Sequence, residues 1–598
     1  MEVNLDAITA AANRAEQVCD FGLGNCSRVL HIGFFFDGVG RNVEQDATTN
    51  RLSNIARLYR AYPTPDKDSS SETYQKHYIS GLGTPFDETT TERLQGMMDK
   101  SLGSILDDIK NTPTDMAKEG FKSLIGGASR NDVLTEMKDT LLTPKGRQGL
   151  LNKSALNAMK RVSTEATPWL RDSEFMAYTF LTGVDTRLNS VKKRFIRSFD
   201  EALKSGKVPV RLISVSVFGF DMGGTLGRQF LDNLLDDVCD KKASGSPTFR
   251  GVPVDIVFTG LFDCSRDTPQ SSDNGLDYAA SVVSWLPGPV AKTLAITGTM
   301  FGRKYLEHMS PLPDTVKASL HLVAAHERRL WRCVYRTGRG GGKHQEVLMP
   351  GCSEDIGGGL QPDVQKPSAE LSRVSLRQMY KEAMKAGVPF PDFSQLYNND
   401  RLVWLYYGMQ DGVQNQSAGQ WVSRYQQAVP DKLLSYGAMN RHLDSYFEWL
   451  GKQHYEYKSE LRRLENIQSG ILTAAGASMG LVGINPQAKQ AGGEVIDEIL
   501  ILKKHWGWLT DVVNAANLLL TRQLSNPPQL FLVNIHMPAC ARAKRFIECG
   551  AAGFNGEPLP MMLYNAPEVL YAWFLHDVQR REGINDAYFY IRWTEPRQ

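Results

Sequence analysis

The sequence predicts a three-layer α/β protein built on a mostly parallel sheet. Three observations carry that reading: near-continuous apolar runs that end in Gly or Asp, helical spacing between them, and a glycine-flanked turn joining one run to a helix. At 598 residues, 42% hydrophobic and 22% charged, the chain has enough apolar mass for one large domain with insertions or for two to three domains.

Residues 1–27 form an N-terminal segment. Val29-Leu30-His31-Ile32-Gly33-Phe34-Phe35-Phe36 is apolar on both faces and ends at Asp37-Gly38, the form of a buried parallel strand feeding a loop. Over residues 86–200, Met97, Met98, Leu102, Ile105, Leu106 and Ile109 recur at helical spacing and predict a helical insertion. Residues 212–218 are a second buried strand, running into Gly219-Phe220-Asp221-Met222-Gly223-Gly224. There the small flanking residues let the backbone crowd Asp221 on a sharp turn, and residues 225–236 read as the helix that leaves it. Residues 254–263 repeat the buried-strand form. The strands at 29–36, 211–218 and 254–262 are therefore expected side by side, with Asp221 at their carboxyl edge. Residues 28–365 make up this sheet domain. Residues 366–598 are mostly helical, with long elements at 424–471 and 493–524, and 587–593 reads as a last strand returning to the core.

Composition excludes several classes. A net charge of +2 favours no nucleic-acid partner. The cysteines (Cys19, Cys26, Cys239, Cys264, Cys333, Cys352, Cys540 and Cys549) lack metal-ligand spacing, which points to synthesis in a reducing cytoplasm; Cys19 and Cys26 are the one close pair. Residues 1–17 carry Glu2, Asp6, Arg14 and Glu16 without an apolar core, so no signal peptide is expected and export would use another route. Charges at Asp497, Glu498, Lys503, Lys504 and Asp511 interrupt residues 495–520, and Pro287, Pro289 and Lys292 interrupt 281–301, so neither reads as a membrane span. Surface binding by an amphipathic segment stays open. Residues 338–343 are glycine-rich but lack the ending of a phosphate loop and read as a surface loop. Asp355 with Gly357, Gly358 and Gly359 offers one carboxylate, too few for a cation, and no metal or cofactor is expected.

Six blocks now align with one family: Phe35-Phe36-Asp37-Gly38-Val39-Gly40-Arg41-Asn42, Ser53-Asn54-Ile55-Ala56-Arg57-Leu58, the turn at Asp221, Gly260-Leu261-Phe262-Asp263, residues 321–329 from His321 to Arg329, and residues 350–359 from Pro350 to Gly359. In order and content they resemble the α/β-hydrolase family containing the type VI secretion phospholipase effectors of the first lipase class. Phe574-Leu575-His576-Asp577 and Tyr590-Ile591-Arg592-Trp593 are similar to its C-terminal end. The resemblance implies an α/β-hydrolase-like fold, acyl-ester hydrolysis of membrane phospholipid, a secretion spike and an immunity protein as partners, and delivery into a target cell.

The family pattern carries Ser where this chain has Asp221, Asp where it has His326, and His where it has Ser353. Three readings follow. Asp221 can itself be a nucleophile, as in the similar elbows of epoxide hydrolases and haloalkane dehalogenases, given His326 or His321 beside it. Ser353 can be the nucleophile with His326 as base, although a triad needs its His in the middle. Or the fold persists without the triad and the protein binds something, with Asp221 held as an anion at the helix N-terminus. Gly38 and Met222 stand where the family places oxyanion-hole amides, and Asp263 either orients a catalytic His or caps a helix.

Overall fold

The computed structural model describes residues 9–14, 27–48, 51–69, 71–86, 183–205, 208–241, 246–266, 310–329, 332–360, 366–399, 401–409, 412–478, 486–525, 533–552, 565–582, 584, 586–592 and 594–595. Most of the predicted helical insertion, the 281–301 segment and both Cys19 and Cys26 lie outside these residues.

The chain divides into two units: the first comprises Met1–Ala324, Leu330–Gly419 and Arg592–Gln598, the second Ala325–Arg329 and Gln420–Ile591. The strands of the first unit are β1 (Arg28–Phe36), β2 (Glu72–Ile79), β3 (Val210–Phe220), β4 (Asp240–Lys241), β5 (Pro247–Phe249), β6 (Val252–Phe262), β7 (Ser265–Arg266), β8 (Ser319–Ala324), β9 (Cys333–Tyr335), β10 (His344–Met349) and β11 (Thr594–Glu595). Its main sheet runs β10-β8-β6-β3-β1-β2 with every neighbouring pair parallel. The strands expected to be adjacent are adjacent. β4 and β5 add an antiparallel edge to β6, and β9 pairs with β7 and β11 in a small separate sheet.

Parallel strands bury both faces, which is why they read as continuous apolar runs. Leu30, Ile32, Phe34 and Phe36 of β1 and Ile213, Val215 and Val217 of β3 share one core with Val191, Phe195 and Phe230. These last belong to α2 (Val184–Ser205) and α3 (Met222–Asn233), helices that follow α1 (Asn54–Ala61) in the chain. On the other face Phe35 stacks on Phe218 at 5.1 Å and meets Tyr59 of α1 edge-on, while Phe218 reaches Phe390. The period-2 alternation of side chains sets this division. Two further helices, α4 (Ser353–Gly357) and α5 (Leu371–Lys385), follow β10.

The second unit is helical: α6 (Ala418–Ala428, from Gln420 on), α7 (Tyr436–Ser478), α8 (Pro486–Trp506), α9 (Leu509–Ser525), α10 (Val533–Ala552) and α11 (Ala566–Trp573). The first long element predicted from sequence is broken beside Pro430, which has no backbone N–H to continue a helix. The second is broken at Gly507, where an added Cβ would lie 2.5 Å from the Lys503 carbonyl oxygen. Residues 587–592 are a correction: the aromatic run is not a strand but a 3-10 turn (Asp586–Phe589) and irregular chain, with regular pairing only at β11. Consecutive Tyr588 and Phe589 are both fully buried, and the Phe589 carbonyl accepts a bond from Arg542, so packing overrides the alternation a strand needs. Among the described residues no helix is long and apolar enough to cross a membrane.

Candidate functional site at the carboxyl edge of the sheet

The turn between β3 and α3 is built as its glycines require. Asp221 sits at φ 53° and ψ −129°, a backbone state that non-glycine residues rarely adopt. A Cβ on Gly223 would lie 2.3 Å from the Asp37 carbonyl oxygen, so only glycine lets the turn approach the end of β1. The Asp221 N–H donates to the Phe262 carbonyl at 3.0 Å, fixing the turn against β6. Phe220 points between the loop after β1 and α4: a Cβ on Gly38 would meet its ring at 2.7 Å, and one on Gly357 at 2.0 Å.

Three of the blocks that resemble the hydrolase family, at 35–42, 53–58 and 350–359, are hydrogen-bonded to one another at this edge. The Ser53 side chain caps α1 and donates to the Asp37 carboxylate at 2.6 Å; Asn54 donates to the Ile356 carbonyl at 2.8 Å, and Arg41 to that of Gly359 at 3.1 Å. Asp37 also accepts from the Tyr78 hydroxyl at 2.6 Å, and burial pushes its carboxyl up to about 6 against these bonds. The Gly38 N–H, expected as an oxyanion donor, donates to the Asp37 carboxylate at 2.9 Å. Met222, the other expected donor, is the first residue of α3.

Two sequence-predicted residues meet here, and an arginine stands between them. The Arg332 guanidinium donates from Nη1 to Ser353 Oγ at 2.9 Å and places Nη2 3.5 Å from Asp221 Oδ2. Its Nη2 also lies 3.8 Å from Glu354. The other Asp221 oxygen accepts from the Ser265 hydroxyl. Asp221, Arg332 and Ser353 are all buried. The guanidinium that donates to this hydroxyl cannot itself take up the hydroxyl proton, and a carboxylate paired with a cation is a poor nucleophile.

The other candidates are engaged separately. Asp263 follows β6 at φ 45° and receives both ends of the Arg592 guanidinium, one at 2.8 Å, together with the Ala324 N–H at 2.8 Å. Arg592 donates on to the carbonyls of Ala324 at 2.8 Å and Arg332 at 3.4 Å, so the cation that holds Asp263 also holds the backbone of Arg332. His321 on β8 accepts the Cys264 N–H at Nε2, 3.0 Å away, which leaves Nδ1 protonated toward Glu346 at 3.4 Å. Burial pushes the Glu346 carboxyl up, but His321, the Thr337 amide and Arg336 outweigh it and hold it at about 2. Both His321 nitrogens are therefore occupied. The chain leaves the sheet after Ala324, and His326 belongs to the second unit, its ring 5.6–6.3 Å from those of Tyr425, His442, Tyr446 and Tyr571. Burial, then His442 and Arg328, hold that imidazole well below its usual range. Asp355 accepts the Cys352 N–H at 3.0 Å as a helix cap. Among the described residues no group of three or more His, Cys, Asp or Glu side chains is placed to hold a metal ion.

Arg332 and Arg592 are the site residues that sequence reasoning missed. The available signal was an arginine adjoining an apolar or aromatic stretch, in Arg332-Cys333-Val334-Tyr335 and Tyr590-Ile591-Arg592-Trp593, since a cation drawn into a core needs a carboxylate.

No protein-family model matches the chain, and no curated protein matches it. Among solved structures it is similar to an uncharacterized protein from Pseudomonas aeruginosa, at 17% identity and a TM-score of 0.51, over 99% of this chain and 83% of that one. It is also similar to the Tle1 effector bound to the VgrG spike from the Type 6 secretion system, at 15% identity and a TM-score of 0.31, over 65% of this chain and 82% of that one. The first likeness is one of fold, in keeping with the mostly parallel sheet and its flanking helices.

Proposed function

We propose that this chain is an α/β-hydrolase-fold protein of secretion-effector type that acts by binding rather than by ester hydrolysis. The observation that carries the reading is the Arg332 guanidinium between Asp221 and Ser353, at the two positions where the resembling family carries its nucleophile and its base. A cation in that place neither activates a hydroxyl nor relays a proton, because guanidinium stays protonated throughout the physiological range. The Gly38 amide engaged by Asp37 supports the same reading. The ordered sequence blocks support a secretion spike protein and a cognate immunity protein as the partners, with a phospholipid membrane surface as the destination.

The test is fatty-acid release from phosphatidylethanolamine–phosphatidylglycerol vesicles. Wild-type protein is expected to release none above the protein-free rate. Release that Ser353→Ala abolishes would make Ser353 a nucleophile and end the proposal; release abolished by Asp221→Asn would do the same for Asp221.

A further inference from the structure

The second unit holds a nucleophile–base–orienter arrangement unrelated to the elbow. On α10, Cys540 Sγ lies 3.4 Å from His536 Nε2, one helical turn away. The other ring nitrogen, Nδ1, is 2.5 Å from the Tyr590 hydroxyl. The residue before the orienter is held in place: buried Arg542, also on α10, donates to the carbonyl of Phe589 at 3.0 Å, and the Phe589 ring stacks on Phe447 at 4.6 Å. Among the described cysteines the contrast is Cys264, whose side-chain neighbour is the hydroxyl of Thr225 at 3.7 Å and not a base.

We propose that Cys540, His536 and Tyr590 form a thiol site at which Cys540 exchanges with a small disulfide. With Nδ1–H donating to the Tyr590 oxygen, the Nε2 lone pair faces the thiol. Burial pushes the thiol up and the imidazole down, so both are neutral at rest and the proton moves only as attack begins. The S–H proton passes to Nε2 and Sγ attacks one sulfur of the disulfide. The S–S bond breaks, and the departing thiolate takes the proton back from Nε2. One thiol and one disulfide enter, and one thiol and one mixed disulfide leave, with no net oxidation. Cys540 is 4% exposed, and Met537, three residues before it on the same helix, is 50% exposed, so the buried thiol adjoins a solvent-facing position of α10.

The experiment treats the full chain with 4,4′-dithiodipyridine at neutral pH and follows each cysteine by peptide mass spectrometry. Cys540 is expected to form the mixed disulfide faster than the more exposed Cys549 on the same helix. His536→Gln should slow Cys540 by about 100-fold, the scale of a positioned general base, and leave Cys549 unchanged. Tyr590→Phe keeps the ring and removes the orienting hydroxyl; it should also slow Cys540, and it decides the matter if the His536 variant alters Cys549 and so the fold. Wild-type Cys540 reacting more slowly than Cys549, or Cys540 unaffected by either variant, overturns the proposal.

Discussion

Replacing Asp263 with Asn should be among the most damaging single changes in the first unit. Asparagine tolerates the φ of 45° at this position, so the variant isolates the charge from backbone strain. The wild-type carboxylate accepts from both ends of Arg592 and from the Ala324 amide, and both charged side chains are fully buried. In Asp263→Asn one amide oxygen remains as an acceptor, while the amide N–H faces a guanidinium N–H and leaves a buried cation without its counter-charge. Breaking such a pair costs about 3–5 kcal/mol. Removing both charges together, as Asp263→Asn with Arg592→Met, should cost much less than the two single changes summed, because the desolvation of the cation disappears with it. Urea unfolding of the two single variants and the double variant measures the coupling, and hydrogen exchange at the Ala324 amide reports the site directly. A single-variant loss below about 1 kcal/mol, or additive losses in the double, would refute the assignment of this pair as a buried clamp.

Asp221→Ala should destabilise the protein by about 2 kcal/mol, since the carboxylate has partners in Ser265 and Arg332 and its loss leaves a buried guanidinium short of charge; an unchanged urea midpoint would contradict this. For Asp37, raised from 3.8 to about 6, the fold favours the protonated form. Its contribution is therefore greatest below the unfolded value and is lost as pH rises through about 6, by about 3 kcal/mol. Asp37→Asn should accordingly gain on wild type between pH 4 and 7 in paired melts, and a constant gap would refute it. In the second unit His326 and His442 are both held below the usual imidazole range by burial. The unfolded chain takes up those protons first, so stability should fall as pH drops below about 6.5, and His326→Phe should flatten that slope in a pH series of thermal melts.

The sheet and the elbow were legible because each depends on short stretches of chain. A strand buried on both faces announces itself as an apolar run, and the elbow by the glycines that its close approach to β1 demands. The breaks at Pro430 and Gly507 were equally local, but the apolar periodicity runs across both and hides them. What the site does was not legible, because its cations come from far away. Arg592 is 329 residues from the carboxylate it neutralises, and Arg332 is 21 from Ser353 with a turn and two strands between. The block from His321 to Arg329 misleads for a related reason: it reads as one motif, yet the chain leaves the sheet at Ala324 and residues 325–329 belong to the other unit. The aromatic run at 587–592 has the composition of a strand, and only its packing partners Arg542 and Phe447 show why it is not one.

The clamp between Asp263 and Arg592 also sets a timetable for biosynthesis. With 329 residues between them, a ribosome adding about 5–20 residues per second delivers the arginine roughly 16–66 s after the aspartate. Through that interval the nascent sheet carries a carboxylate destined for full burial and lacks its counter-ion. The last strand of the small sheet, β11, is missing as well. The first unit can thus gather its central strands early but seal its carboxyl edge only after the second unit has been made. Premature termination after β10 but before codon 592 would release a chain whose main sheet is complete in sequence and unfinished in charge.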